Sequence, residues 1–298
     1  MSATAGSTAD RLSATDVLRS LLDAQVTAVQ AAGGRLRTNG SSGVHQMRVE
    51  LRRLRSTLKA FEPFFDDSVD GLRKELRWFS SELSPARDAE VLTIRLTAAC
   101  ADDGRLGAQA LAVLEPLLSA SREAGVVRAQ EVWGSERYAE LAAGLGQLFA
   151  SRLITLDPDA AAADVFPALL ARELGTVRRR ADLIGGAGDR DEQFHELRKA
   201  TKQARYVSEV LLALKPKQAA RLGRALQRLQ TLLGDRQDNA VARAYLHDLL
   251  QGGTLDEPAT VVVAHLLDHE NAATARLEEG LPKALRKVAR RAEWLPSA

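Results

Sequence analysis

Cysteine is almost missing from the 298-residue chain: Cys100 stands alone, so a disulfide framework and a cysteine-based zinc site are both excluded. That usage fits a reducing compartment. Aromatic residues make up only 4% of the sequence and β-branched runs are scarce, which leaves little from which to build a sheet. No apolar run approaches the ~18 residues of a membrane-spanning helix. The start, Met1 to Asp10, has no basic stretch followed by an apolar one, so it does not read as a secretory signal. Residues 1–9 read instead as a disordered lead-in, and the cytoplasm is the default address. Charge of one sign is not in excess either. Lys and Arg number 41 against 39 Asp and Glu, so a polyanionic partner has to be argued from where the cations sit.

What is present is helix-forming. Ala, Leu, Arg, Glu and Gln dominate, and Gly or Pro punctuates the chain where helices should end. The breaks fall at Gly33-Gly34, Asn39 to Gly43, Pro63, Ser84-Pro85, Asp157-Pro158, Gly185 to Gly188, Pro216, Gly252-Gly253, Pro258 and Pro282. Between them lie segments of about 15–25 residues, suited to helices of a bundle. Val261-Val262-Val263 reads locally as strand but is too short to seed a sheet. The expected class is all-α.

The sequence also repeats. Val44-His45-Gln46-Met47-Arg48 is echoed by Phe194-His195-Glu196-Leu197-Arg198, 150 residues later. The same offset pairs Arg52 with Lys202, Arg55 with Arg205, Lys74 with Arg224, Leu83 with Leu233, Asp88 with Asp238 and Val91 with Val241. A single register without insertion implies two halves, residues 10–156 and 159–292, each a small helical bundle. We expect an approximate two-fold axis to relate them.

The chemistry concentrates on the helix expected after Ser41-Ser42-Gly43, with a serine as N-cap. At about 100° per residue, His45, Arg48, Arg52, Arg55 and Lys59 share an arc of about 80°. Met47, Leu51, Leu54, Leu58 and Phe61 form an apolar stripe beside it, and Gln46, Glu50, Arg53 and Thr57 are left for solvent. The second copy aligns His195, Arg198, Lys202 and Arg205, with Lys199 adjacent; Glu209 stands where the first has Lys59. Arg221, Arg224 and Arg228 step along the next helix, as Arg73, Lys74 and Arg77 do in the first half. Aligned like charges destabilise a helix by a few tenths of a kcal/mol per pair, about 0.2–0.5, so the stripe asks for a counter-charge. Asp88, Asp238 and Glu82 are internal candidates. An external polyanion held by several guanidinium forks is the other, since the fork matches phosphate oxygens.

These residues resemble the CHAD family, the conserved histidine α-helical domain. The resemblance rests on His45-Gln46-Met47-Arg48 with Arg52-Arg53-Leu54-Arg55, on the second copy from His195 to Arg205, and on Arg87-Asp88-Ala89-Glu90-Val91. It spans about Ala9 to Arg291, so residues 10–292 form the expected domain. It implies two four-helix bundles around a central basic channel, binding of inorganic polyphosphate and association with polyphosphate granules. Carried over by position, the implied binding residues are His45, Arg48, Arg52, Arg55, His195, Arg198, Lys202 and Arg205. The spacing argument adds Lys59, Lys74, Arg77, Lys199, Arg221, Arg224 and Arg228. The second copy departs from the first at Gln237, in place of Arg87, and at Glu209. The triphosphate-tunnel enzyme module sometimes joined to the family carries Glu-x-Glu-x-Lys, and no such triplet occurs in the sequence.

The expectation is therefore a non-catalytic polyphosphate-binding module with no cofactor. The alternative of a polyphosphate- or triphosphate-processing enzyme, or its accessory subunit, lacks a motif. There is no Walker loop, no Gly-x-Ser-x-Gly, and Leu266 replaces the glutamate in His265-Leu266-Leu267-Asp268-His269, so no metal is expected either. A nucleic-acid binder would want aromatics for stacking, and Tyr206 is the one near the arcs. A helical adaptor protein would show no salt-sensitive affinity for polyanions.

Overall fold

The computed structural model of the chain describes residues 12–38, 40–102, 107–147 and 153–296. The expected lead-in and Asn39 lie outside these. Ten α-helices run in order: α1 (Ala14–Thr38), α2 (Gly40–Ala60), α3 (Val69–Glu82), α4 (Ser84–Asp102), α5 (Gly107–Trp133), α6 (Glu136–Gln147), α7 (Ala162–Asp182), α8 (Arg190–Val210), α9 (Pro216–Gln251) and α10 (Glu257–Ala292). The fold is all-α. Among the described residues β pairing is limited to two isolated bridges, Ser13–Ala161 and Phe65–Ile154. No described helix is long and apolar enough to cross a membrane.

The 150-residue offset recurs in the helix ends. α8 begins and ends 150 residues after α2. The pair α3–α4 corresponds to the single helix α9, and α5–α6 to α10. Counterparts also touch: α1 packs on α7, α2 on α8, α4 on α9 and α5 on α10. One hydrophobic core takes residues from both halves, with Phe61, Phe79 and Phe166 among its largest side chains. A second, smaller core ties Leu96 and Leu114 to Leu246 and Val263.

Several helix ends follow from local chemistry. Asp189 caps α8 by accepting from the Asp191 N–H, and Asp256 caps α10 by accepting from that of Ala259. Pro216 and Pro258 sit in first turns, where their missing N–H costs nothing. Other expected breaks do not occur. α1 runs through Gly33-Gly34, and a β-carbon at Gly33 would stand 2.8 Å from the Tyr138 hydroxyl, so this glycine admits a close neighbour instead of ending a helix. Pro282 lies inside α10, and α9 and α10 reach 36 residues each, because they pack along one another and tertiary burial outweighs local propensity. α2 starts at Gly40, which draws Ser41 and Ser42 into the helix where an N-cap serine was expected.

The apolar stripe of α2 is fully buried from Met47 to Phe61. Its supposed solvent face is not free. Thr57 is buried and accepts from Gln25 Nε2 at 2.9 Å, and Arg53 is half-buried against Glu209. The reason is that α2 is held between α1 and α8.

The joint between the halves, residues 153–161, is a strap fixed at both ends. Leu153 O accepts from the Asp66 N–H and Thr155 donates to Phe64 O, both in the turn after α2. Ala160 O accepts from the Ala14 N–H, and Ala162 donates to Leu12 O.

Candidate anion-binding site

A cleft of about 490 Å³ opens between α2 and α3 on one side and α7 and α8 on the other. Eight cationic side chains line it: Arg52, Arg55, Lys59, Arg73, Arg77, Arg180, Lys199 and Lys202. Its carboxylate is Glu196. Cations at intervals of three or four residues on α2 and α8 share a face, and the packing of α2 on α8 turns the two faces toward one space.

The cations divide into two kinds. Lys59 pairs with Glu62, Arg73 with Glu62 and Asp70, and Lys199 and Arg180 with Glu196. Hydrogen bonds from Lys59 and Arg73 hold the Glu62 carboxyl below its ordinary range, and one from Lys199 does the same for Glu196. These four cations are neutralised within the protein. Arg52, Arg55, Arg77 and Lys202 have no carboxylate within ion-pairing distance among the described residues. Burial and then the neighbouring Arg77 lower the Arg55 pKa. Burial, followed by the fields of Arg198, Arg52, Arg55 and Lys199, brings the Lys202 amine down to about 7. Like charges are thus gathered in one cleft, and they lower the pKa values of Arg55 and Lys202.

Behind the cleft lies a second layer. Arg48 donates from Nη1 to Ser84 Oγ at 2.7 Å and to Ser80 O at 3.2 Å, at the break between α3 and α4. Its counterpart Arg198 has no such acceptor, because Gly234 stands where the first half has Ser84, and the Arg198 Nε is buried without a partner. Burial lowers both guanidinium pKa values, while Asp88 and Asp238 respectively act against it. Neither aspartate forms an ion pair with these arginines, and burial raises both carboxyl pKa values. Glu82, the third internal candidate, pairs with Arg128. His45 is lowered by burial and then by Arg87, and Arg52 and Arg48 push the same way, although Glu90 opposes them. His195 Nδ1 lies 3.2 Å from Gln237 Oε1, the residue that replaces Arg87.

Not every candidate from the sequence joins the cleft. Arg205 is committed to Gln230 Oε1 at 2.7 Å and Glu209 Oε1 at 2.9 Å, and lies 4.1 Å over the Tyr206 ring. Glu209 also takes Arg53 at 2.5 Å. Where Lys59 borders the cleft, its counterpart in the second half is a carboxylate taken up by Arg53 and Arg205. Lys74 is exposed and outside the lining. Arg221, Arg224 and Arg228 are exposed on α9, and Arg228 faces α10, where its field is the main cause of the lowered Lys287 pKa. Arg180 was not foreseen. It ends the run Arg178-Arg179-Arg180, and only packing shows which of the three turns inward. His265 is exposed and His269 lies near Glu270; among the described residues no three His, Cys, Asp or Glu side chains gather as metal ligands.

Comparison with known proteins gives three findings. A family model described as "CHAD domain" matches residues 20–247. Two uncharacterized proteins of Mycobacterium tuberculosis, MT2285 of strain CDC 1551 / Oshkosh and Rv2226 of strain ATCC 25618 / H37Rv, are each 32% identical over 272 residues. The match covers 85% of this chain and 49% of either protein, so the chain spans about half the length of these curated relatives. Among solved structures, the CHAD domain from the plant Ricinus communis is similar, with a TM-score of 0.75 and 24% identity over 100% of this chain and 97% of that one. PptA from Streptomyces chartreusis has a TM-score of 0.73 and 22% identity over 92% and 99% of the two chains. At these identities the structures attest to the shared fold.

Proposed function

Because the chain belongs to the CHAD-domain family, we propose that its cleft binds inorganic polyphosphate without turning it over, and that this binding brings the chain to polyphosphate granules in the cytoplasm. The observation that carries the reading is the cluster of four unpaired cations, Arg52, Arg55, Arg77 and Lys202, in one cleft beside four paired ones. A phosphate chain supplies one negative charge after another along a thin, flexible backbone, and each guanidinium fork grips two oxygens. A duplex about 20 Å wide, judged from its groove dimensions, does not enter a cleft between packed helices. The lining also contains no aromatic side chain on which a base would stack. Binding without catalysis is supported by the state of Glu196. It is tied to Lys199 and Arg180, so the cleft holds no free carboxylate to act as a general base.

The test reverses two unpaired charges. Arg52→Glu with Arg55→Glu removes two charge-assisted contacts, each worth about 1.5–3 kcal/mol, and lowers affinity for long-chain polyphosphate by at least about a hundredfold. Far-UV circular dichroism of the variant stays helical. ATP, duplex DNA and polyphosphate are compared at equal phosphate concentration. Undiminished binding by the variant overturns the site, a preference for DNA overturns the ligand, and steady phosphate release overturns the absence of catalysis.

A further inference from the structure

Lys202 differs from the other lysines of the cleft. Lys59 and Lys199 spend their charge on Glu62 and Glu196, whereas Lys202 has no carboxylate partner and is surrounded by Arg52, Arg55, Arg198 and Lys199. Cationic neighbours and burial favour the neutral amine, whose lone pair is then free at ordinary pH. It borders a cavity lined by seven further cationic side chains, a field that favours anions such as phosphate groups. A nucleophile and a phosphate seat thus share one space, the arrangement by which covalent chemistry selects one lysine among many.

We propose that Lys202 is a covalent modification site, acylated by small acyl phosphates that seat their phosphate among Arg52, Arg55 and Arg77. This rests on the reading of the cleft as a phosphate site and adds a reaction to it. The Lys202 Nζ lone pair attacks the carbonyl carbon, forming the C–N bond. The bond from that carbon to the phosphate oxygen breaks, and phosphate leaves with the electron pair. The amine proton passes to the departing phosphate, so an acyl phosphate dianion and an amine give an amide and hydrogen phosphate. The product is neutral. Acylation therefore removes one of the four unpaired cations permanently and weakens the hold on a long phosphate chain.

The experiment treats the intact folded chain with acetyl phosphate at about pH 8 and follows each lysine by peptide mass spectrometry. An ordinary lysine at that pH is under ~1% free base, whereas one near 7 is mostly so. The weaker basicity offsets part of this advantage, leaving Lys202 acetylated at least about fivefold faster than the exposed Lys217 and Lys283. Inorganic tripolyphosphate added as competitor abolishes that lead, and so does Arg55→Ala in a chain that keeps its helical circular dichroism. The N-hydroxysuccinimide ester of acetic acid, which carries no phosphate, still labels Lys202 ahead of Lys283 in the Arg55→Ala chain without competitor, so the lost lead reports the phosphate seat and not the amine. The proposal is overturned if acetyl phosphate acetylates Lys202 no faster than Lys217 and Lys283, or if tripolyphosphate leaves its lead intact. Polyphosphate binding measured on the same preparation separates the two ideas. Binding with no selective acetylation removes only the modification, and absent binding removes the cleft's assignment.

Discussion

Lys202 makes the cleft's affinity depend on pH, with a sign fixed by the geometry. In the free chain its amine titrates near 7, lowered by burial and by Arg198, Arg52, Arg55 and Lys199. A bound phosphate chain supplies the missing negative charge and raises that value, so binding takes up a proton whenever the free amine is neutral. Below about pH 7 the lysine is already charged and affinity is flat. Above it, each pH unit costs about 1.4 kcal/mol, or tenfold, until the raised value in the complex is reached. If contact with phosphate restores an ordinary lysine value near 10.4, affinity falls about fiftyfold between pH 7 and pH 9. The guanidinium groups of Arg52, Arg55 and Arg198 stay charged over that range. Calorimetry at about pH 8, in buffers of different ionisation enthalpy, counts close to one proton taken up per chain. Lys202→Arg, charged throughout, gives a flat profile. Equal affinity at pH 7 and pH 9 with no proton uptake in the parent chain would refute the reasoning, since a paired or solvated lysine behaves that way.

The same shift acts on folding with the opposite benefit. A base whose folded pKa is lowered destabilises the native state below its unfolded value, so stability rises with pH from about 7 toward about 10, by at most ~1.4 kcal/mol per unit. Lys202→Met removes that slope in urea denaturation and raises the midpoint at neutral pH. Affinity for polyphosphate falls with salt, with a slope of log K against log concentration of about −4 to −6 if most of the cleft's cations release counterions; a slope near zero points to an apolar docking surface instead. Glu209→Lys strips Arg53 of its carboxylate, leaves Arg205 only Gln230, and costs about 1–3 kcal/mol in thermal or urea unfolding; an unchanged unfolding midpoint means the carboxylate is not what ties these arginines together. Arg236→Leu strands Asp191 and Glu278, which keep Arg243 and Arg190 as second partners, so the loss is about 1–3 kcal/mol in urea unfolding. Polyphosphate affinity of the folded chain is unaffected.

Helical periodicity made α2 and α8 readable in advance. Spacing alone put Arg52, Arg55 and Lys59 on one edge of a stripe that is buried from Met47 to Phe61, because both the basic arc and the core face come from the same 3.6-residue geometry. The offset of 150 also anticipated the matching ends of α2 and α8. What spacing does not contain is the rotation of one helix against its neighbour. Arg221, Arg224 and Arg228 keep perfect intervals, yet α9 presents them outside the cleft. Arg205 occupies the expected arc, but Glu209 and Gln230 reach it first. The substitution of Glu209 for Lys59 was visible in the sequence, whereas its double hold on Arg53 and Arg205 depended on α2 and α8 lying side by side. Pro282 and Gly33 misled because a rule about isolated helices yields to long-range burial.

The strap of residues 153–161 bears on all of this without touching an anion. One jaw of the cleft belongs to α2 and α3, the other to α7 and α8, and the strap is stitched to the turn that precedes α3 and to the backbone that leads into α1, then runs on into α7. It therefore works as a calliper: its bonds at Phe64 and Asp66 follow directly on Glu62, the partner of Lys59 and Arg73, so backbone bonds tie one jaw to the chain that enters the other. Selectivity for a slender ligand over a bulky one then becomes a mechanical property of the frame, adjustable by changes that leave every charge in place.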